Sequence, residues 1–305
     1  MVLLLLPGDP RLIITPFLTS LNTLWVRVHN SIADKLQNLN PSWNDENLYQ
    51  ESRCVVAALI QHITYKEYLP LVLGKAMMDE KNLNILKKDH LQTYQPLHDA
   101  TNANAFVAAA FRFGHTMVGG KFKLPKRKPM TLLASFSEAK SVKNAGTRPS
   151  DFLEGMANTL SDTLDTWFTP HFHNSFAATP SSEIGFDIGA ISIKRGRDHG
   201  LPGYNRWRRK CGLQPFMTFD SMSQVMRKGD INVFKRMYKS VEDIDLYPAG
   251  LAERGQNSLL GPTFSCIVAQ QFHDLRHGDR FWYENNQQLD HPFSTRVNQR
   301  INHGK

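Results

Sequence analysis

The chain has 305 residues, and 36 Lys plus Arg against 28 Asp plus Glu give a formal net charge of +8. A hydrophobic fraction of 41% is that of an ordinary globular protein and supplies enough apolar side chains for a substantial core. The 16 prolines and 19 glycines are scattered, which excludes a collagen-like or linker-dominated chain; the 3 cysteines exclude a disulfide-built miniprotein, and no apolar run is long enough to cross a bilayer.

Val2-Leu3-Leu4-Leu5-Leu6 opens the chain like a signal sequence, but no basic residue precedes it and Pro7-Gly8-Asp9-Pro10 ends it at once. A signal core needs roughly 7–15 apolar residues, so the segment reads as a buried stretch leading into a turn. Buried residues at a terminus are unusual. The expectation is one domain, residues 1–305, represented in part, with residues that belong in front of it absent.

The dominant pattern that follows is helical. From Thr19 or Ser20, Leu21, Leu24, Trp25, Val28, Ile32 and Leu36 recur at steps of three, four and seven, and Asn40-Pro41 ends the run. A second helix is expected from Asn44 or Asp45, carrying Leu48, Val55, Val56, Leu59, Ile60 and Ile63, with Pro70 as its stop. Residues 75–100 are polar and irregular. A third helix is expected over 103–118, ended by Gly119-Gly120, and a fourth from Ser150 or Asp151 to about Phe168, with Leu153, Met156, Leu160, Leu164 and Trp167 as its buried stripe. A helical pattern returns over 220–240, and a last helix opens at Pro262 and closes at Gly278. No alternating strand pattern, repeat or linker stands out, so the fold class is mainly α with long connections, of the kind that often belong to a cofactor site.

The charge is uneven. Residues 121–129 form a basic run broken by Pro125 and Pro129. A nucleic-acid patch is one reading; a solvated loop is the better one, because no nucleic-acid-binding signature accompanies it.

Among candidate site residues, His115 lies in the apolar stretch Phe111-Arg112-Phe113-Gly114-His115-Thr116-Met117. An imidazole there can ligate a metal or haem when its other nitrogen finds an acceptor, or it can be a core histidine satisfied by a carbonyl. Gly114 favours the first, because glycine is costly inside a helix and suggests that something flat or bulky approaches the backbone. The run Lys194-Arg195-Gly196-Arg197-Asp198-His199-Gly200 reads as a glycine-rich turn. One arginine could clamp a carboxylate or phosphate and the other pair with Asp198. His273 and His277 share a helix face at i and i+4, but Asp274 replaces the glutamate of a zinc protease helix, so an exposed helix end is expected. His171-Phe172-His173 reads as a loop. Cys54, beside Val55 on the second helix, reads as a small core residue. There is no nucleophile elbow, P-loop or dinucleotide fingerprint.

Several stretches taken together resemble the animal haem peroxidases, from Gly8 to about Asn286. They include Gly8-Asp9-Pro10-Arg11, Leu18 through Asn30, Leu39-Asn40-Pro41-Ser42-Trp43, Leu48-Tyr49-Gln50-Glu51 and Gln61-His62-Ile63-Thr64-Tyr65. Ala110 through His115, Arg195 through Asn205 and Gly278 through Asn285 complete the set. The resemblance implies a mainly α fold around a buried haem b. It implies oxidation of the haem by hydrogen peroxide and then stepwise oxidation of small-molecule donors. By it, His115 falls on the proximal iron ligand, Arg11 on the distal arginine that polarises peroxide, and Arg195 on an arginine that pairs with a haem propionate. It also implies a disulfide between Cys211 and Cys266, an extracellular setting, and no nucleic-acid partner. Other positions depart from the family. The distal histidine and the calcium loop lie upstream of the Gly-Asp-x-Arg motif, and no histidine precedes Arg11, so no calcium site is carried over. Ile14 stands where a glutamate can esterify haem, Ser192 where an asparagine usually orients the proximal histidine, and Asn22-Thr23-Leu24 where His-Thr-Leu is usual. The alternative reading is a haem-binding chain without catalysis.

Overall fold

The computed structural model describes residues 9–125, 128–138, 149–173, 175–176 and 185–285. The apolar start Val2–Leu6 and the basic pair Lys126-Arg127 lie outside them. No helix among the described residues is long and apolar enough to cross a membrane. The fold is mainly α. Its contacts divide into two compact units, Met1–Val56 with His115–Thr163 and Trp167–Ile191, and Ala57–Gly114 with Leu164–Thr166 and Ser192–Lys305.

The first helix, α1, spans Pro16–Leu39, starting three residues before the expected position. Thr15 caps it, accepting from Leu18 N at 3.4 Å, and Pro16 occupies the first turn, where its missing N–H costs nothing. Only Pro16, Phe17 and Ser20 are buried along it; of the expected stripe, Leu21 and Leu24 are each 40% exposed, and Trp25, Val28, Ile32 and Leu36 are half-buried. Helix α2 spans Asp45–Ile63, begun by Asn44 accepting from Asn47 N. Its most covered positions are Leu48, Ser52, Ala58 and His62. Cys54 is exposed, which corrects the expected core thiol. At about 100° per residue, it points some 200° away from Ser52.

Pro70 does not stop this helix. A π-helical turn, Thr64–Tyr68, follows α2, and α3 (Leu69–Glu80) begins directly after it with Pro70 in its first turn. The wider i to i+5 pairing, with Leu69 N donating to Thr64 O, delivers the chain so that the proline ring faces no clash. Gly74 then breaks α3 at φ 74°, ψ 161°, where a Cβ would sit 2.4 Å from the Asn257 carbonyl oxygen.

The expected helix over 103–118 is split. Helix α4 covers Asn104–Ala108, Ala109 leaves helical geometry at φ −136°, ψ −72°, and a 3-10 turn runs Ala110–His115. Beyond it, β1 (Lys121–Phe122) pairs antiparallel with β2 (Met130–Thr131), in register Phe122 to Met130, and α5 covers Leu132–Glu138. Lys121, Lys123 and Lys128 are exposed. The expected helix to Phe168 ends early. Helix α6 is Pro149–Ala157, where Asn158 and Thr159 turn their side chains onto the carbonyls of Glu154 and Gly155. Leu160 and Trp167, expected on its buried stripe, are 93% and 78% exposed. In this first unit Phe17 packs on Phe122 and Phe152 at ring separations of 4.1 and 5.4 Å, and Leu132, Phe172 and Ile188 form a second cluster.

The remaining helices are α7 (Ile188–Asp198), α8 (Tyr204–Lys210), α9 (Lys228–Met237), α10 (Leu246–Ala252) and α11 (Pro262–Gly278). In the second unit Tyr204, Phe216, Met222, Met226, Ile231, Phe234 and Ile244 make one core cluster. Glu253, fully buried, ties that unit together. It pairs with Arg208 and accepts from Tyr204 Oη at 2.7 Å and Thr263 N at 2.6 Å, so the buried charge is compensated. A disulfide joins Cys211, at the end of α8, to Cys266 in α11.

Candidate functional site

His115 ends the 3-10 turn that follows the break at Ala109 and is half-buried. A Cβ built on Gly114 would meet nothing within 4 Å, so open space lies directly beside the backbone that leads into the imidazole. A flat macrocycle needs such a clearing next to its ligand. The residues present, one imidazole and an unobstructed backbone, therefore fit a haem held from one side. The upstream part of the turn is anchored. Tyr247 of α10 donates to the Arg112 carbonyl at 3.3 Å and shares a second hydrogen bond with the buried Ser192. Burial first of all raises the Tyr247 phenol above its usual range, so it stays protonated and remains a donor. Sequence reasoning missed Tyr247. Its partner lies 135 residues away, and no local periodicity marks such a contact.

Arg11 lies on the 3-10 turn Pro10–Ile13, which Asp9 caps by accepting from Arg11 N at 2.9 Å. The same carboxylate takes Arg11 Nε at 2.8 Å and also pairs with Nη2. The guanidinium hydrogen bond holds the Asp9 carboxyl down at about 2. The Arg11 side chain is 78% exposed, and its Nη1 makes no hydrogen bond among the described residues. Ile14, half-buried, follows the turn and offers no oxygen for an ester.

Arg195 lies in the last turn of α7, in place of the glycine-rich loop expected there. Asp187 starts that helix by accepting from Ala190 N at 2.8 Å, and the helix runs through Gly196 before the true turn at Gly200, φ +64°. The internal Arg–Asp pair is also corrected. Asp198 pairs with Lys194 one turn back, and Arg197 pairs with Asp245 at 2.7 Å. The Arg195 side chain is exposed and makes no hydrogen bond or ion pair among the described residues, which leaves its fork for an external anion.

Other histidines sort differently. His173 pairs with Asp187 at 2.9 Å beside the short turn Pro170–Phe172. His277 is 4% exposed, which corrects the expected exposed helix end; its Nδ1 meets Thr93 Oγ1 at 2.6 Å. His273 contacts the Lys81 carbonyl at 3.0 Å. No cluster of three or more His, Cys, Asp or Glu side chains among the described residues is placed to hold a metal ion.

The chain is 39% identical over 299 residues to human peroxidasin homolog, covering 92% of this chain and 19% of that protein. It is 36% identical over 302 residues to human myeloperoxidase, covering 92% of this chain and 38% of that one. The chain thus spans less than two fifths of either relative. Among solved structures, peroxidase A from Dictyostelium discoideum superposes with a TM-score of 0.80 at 32% identity, over 97% of this chain and 54% of that one. A fatty acid alpha-dioxygenase from Oryza sativa, at 17% identity and a TM-score of 0.75 over 92% of this chain and 52% of that one, shares the fold. The animal haem peroxidase pattern matches residues 2–304, and the chain belongs to that family.

Proposed function

We propose that the chain is part of a single haem peroxidase domain that binds haem b, takes hydrogen peroxide as oxidant and draws electrons from small-molecule donors. The observation that carries this is the half-buried His115 beside the open face of Gly114. When bound, haem supplies the redox chemistry, accepting oxidation from peroxide and passing it to donors in single-electron steps. The protein holds and tunes. His115 would ligate the iron through one ring nitrogen, and Tyr247 holds the Arg112 carbonyl three residues before it. Arg195 supplies a bidentate fork for a propionate. Arg11 turns its Nη1 donors toward peroxide oxygen as negative charge builds there. An extracellular setting suits the Cys211–Cys266 disulfide, since such bonds persist in oxidising compartments.

Titration of the recombinant chain with haemin tests the binding half. A saturable Soret band is expected; its absence would overturn the assignment. A second reading, haem binding without turnover, is favoured by the engagement of Arg11 with Asp9 on an exposed turn. Rapid mixing of the haem-loaded chain with hydrogen peroxide separates the two. Fast conversion of the haem spectrum supports the enzyme, and an inert spectrum supports the binder.

A further inference from the structure

Two stretches of the family pattern, Gln61 through Tyr65 and Gly278 through Asn285, take no part in the haem reading. They meet each other inside the second unit. Tyr283 N donates to Gln61 Oε1 at 3.3 Å, and the Tyr283 hydroxyl lies 3.1 Å from His62 Nδ1. The Trp282 ring sits 4.5 Å from Tyr65 and 5.1 Å from Tyr283, centroid to centroid. His62, Tyr65, Trp282 and Tyr283 are 6%, 3%, 2% and 1% exposed. Two phenols and an indole are therefore in ring contact away from water, and one phenol rests on an imidazole. Ring contacts continue from Tyr65 to Phe272 at 5.6 Å and on to Phe111 at 5.8 Å, four residues before His115.

Packing alone would be served by phenylalanine at Tyr283, without an imidazole at its oxygen. A phenol that loses an electron becomes a strong acid, and in a buried site the resulting cation has no water to take its proton. An imidazole in hydrogen-bond contact removes that obstacle. Burial chiefly, with Glu284 adding to it and Arg276 opposing, raises the resting phenol above its usual range. Its proton therefore leaves together with the electron and not before it.

We propose that Tyr283 and His62 form a redox-active pair that holds an oxidising equivalent inside the protein. Tyr283 gives one electron to a one-electron oxidant, its O–H bond breaks, and the proton passes to His62 Nδ1. The products are a neutral tyrosyl radical, an imidazolium and an oxidant reduced by one electron. Return of one electron, with the proton coming back from His62, restores the phenol. Trp282 and Tyr65 are the aromatic neighbours through which the electron leaves. That peroxide-oxidised haem is the natural oxidant rests on the function proposed above; the pair itself does not.

The test has two arms, both on the full chain carrying ring-deuterated tyrosine and isotopically labelled histidine. In the first, without haem, photogenerated tris(bipyridine)ruthenium(III) is the oxidant, and the freeze-trapped radical is read by electron paramagnetic and electron–nuclear double resonance. The expected signal is a tyrosyl radical coupled to a proton on a histidine nitrogen. That coupling is lost in Tyr283→Phe and in His62→Gln, and kept in Tyr49→Phe, whose ring is exposed. Circular dichroism of each variant checks that the fold is retained. A histidine-coupled signal that persists in Tyr283→Phe, or no such coupling in the native chain, overturns the proposal. In the second arm, haem-loaded chain receives hydrogen peroxide, and the same coupled signal is expected. Success in the first arm with no radical in the second removes peroxide-oxidised haem as the natural oxidant and leaves the pair standing.

Discussion

The disulfide offers the prediction whose size follows most directly from the structure. Cys211 and Cys266 are 55 residues apart in sequence, and the bond fastens the end of α8 to the second turn of α11. Closing a loop of that length removes about 14 cal/mol/K of entropy from the unfolded chain, or about 4 kcal/mol at room temperature. Domains are stable by only roughly 5–15 kcal/mol, so the bond carries a large share. With an unfolding entropy of about 2.1 cal/mol/K per residue over 305 residues, removing it should lower Tm by roughly 6 °C. The variant of choice is Cys211→Ala with Cys266→Ala. A single replacement would leave a second free thiol that air oxidation could join to the exposed Cys54 of another molecule. Urea unfolding and calorimetry of the double variant, against the native chain with and without reductant, measure the loss. A double variant with unchanged Tm would refute the loop-closure reasoning.

Three further outcomes are expected. Gly74→Ala should destabilise by about 2 kcal/mol or more, because φ +74° is strained for any side chain and its Cβ would press on the Asn257 carbonyl; thermal unfolding checks this, and a neutral effect would contradict the backbone described. Cys54 should react with iodoacetamide in the native chain. Partial burial, with Glu51 adding to it, raises its thiol, so the reaction should be slower than free cysteine at neutral pH and gain more as pH rises; a rate matching free cysteine throughout would refute the shift. Burial chiefly, with His273 and Arg276, lowers His277 to about 4 from its ordinary 6.5. Between those values the unfolded chain binds more protons than the folded one. Stability from neutral His277 is therefore full above pH 6.5 and lost as pH falls toward 4. His277→Gln should flatten that slope in denaturant titrations across the window, and an unchanged slope would remove His277 as its cause.

Much of the helical frame was legible because its signals are local. Gly261-Pro262 opening α11 and Asn40 closing α1 act through caps within one turn. The failures share a cause in longer-range contacts or in side-chain competition with the backbone. Pro70 reads as a stop unless the π turn before it is known. The stretch 103–118 carries an unbroken apolar pattern, yet Ala109 departs from the helix and Tyr247 holds the turn from another element. Leu160 and Trp167 fit a helical stripe, but Asn158 and Thr159 end the helix before them. The candidate site was legible as residue types. The clearing at Gly114 lies beside His115, and the Asp9 cap of Arg11 is local, whereas the Asp245 partner of Arg197, 48 residues on, is a fact of three-dimensional contact.

The role of His115 admits a direct measurement. Haemin-reconstituted native chain and His115→Ala are compared by absorption and magnetic circular dichroism, before and after addition of free imidazole. Native chain should show a histidine-ligated haem. His115→Ala should lose that signature and regain it when imidazole enters the space left by the truncated side chain beside Gly114. An unchanged haem spectrum in His115→Ala would place the iron on another ligand and contradict the assignment at its centre.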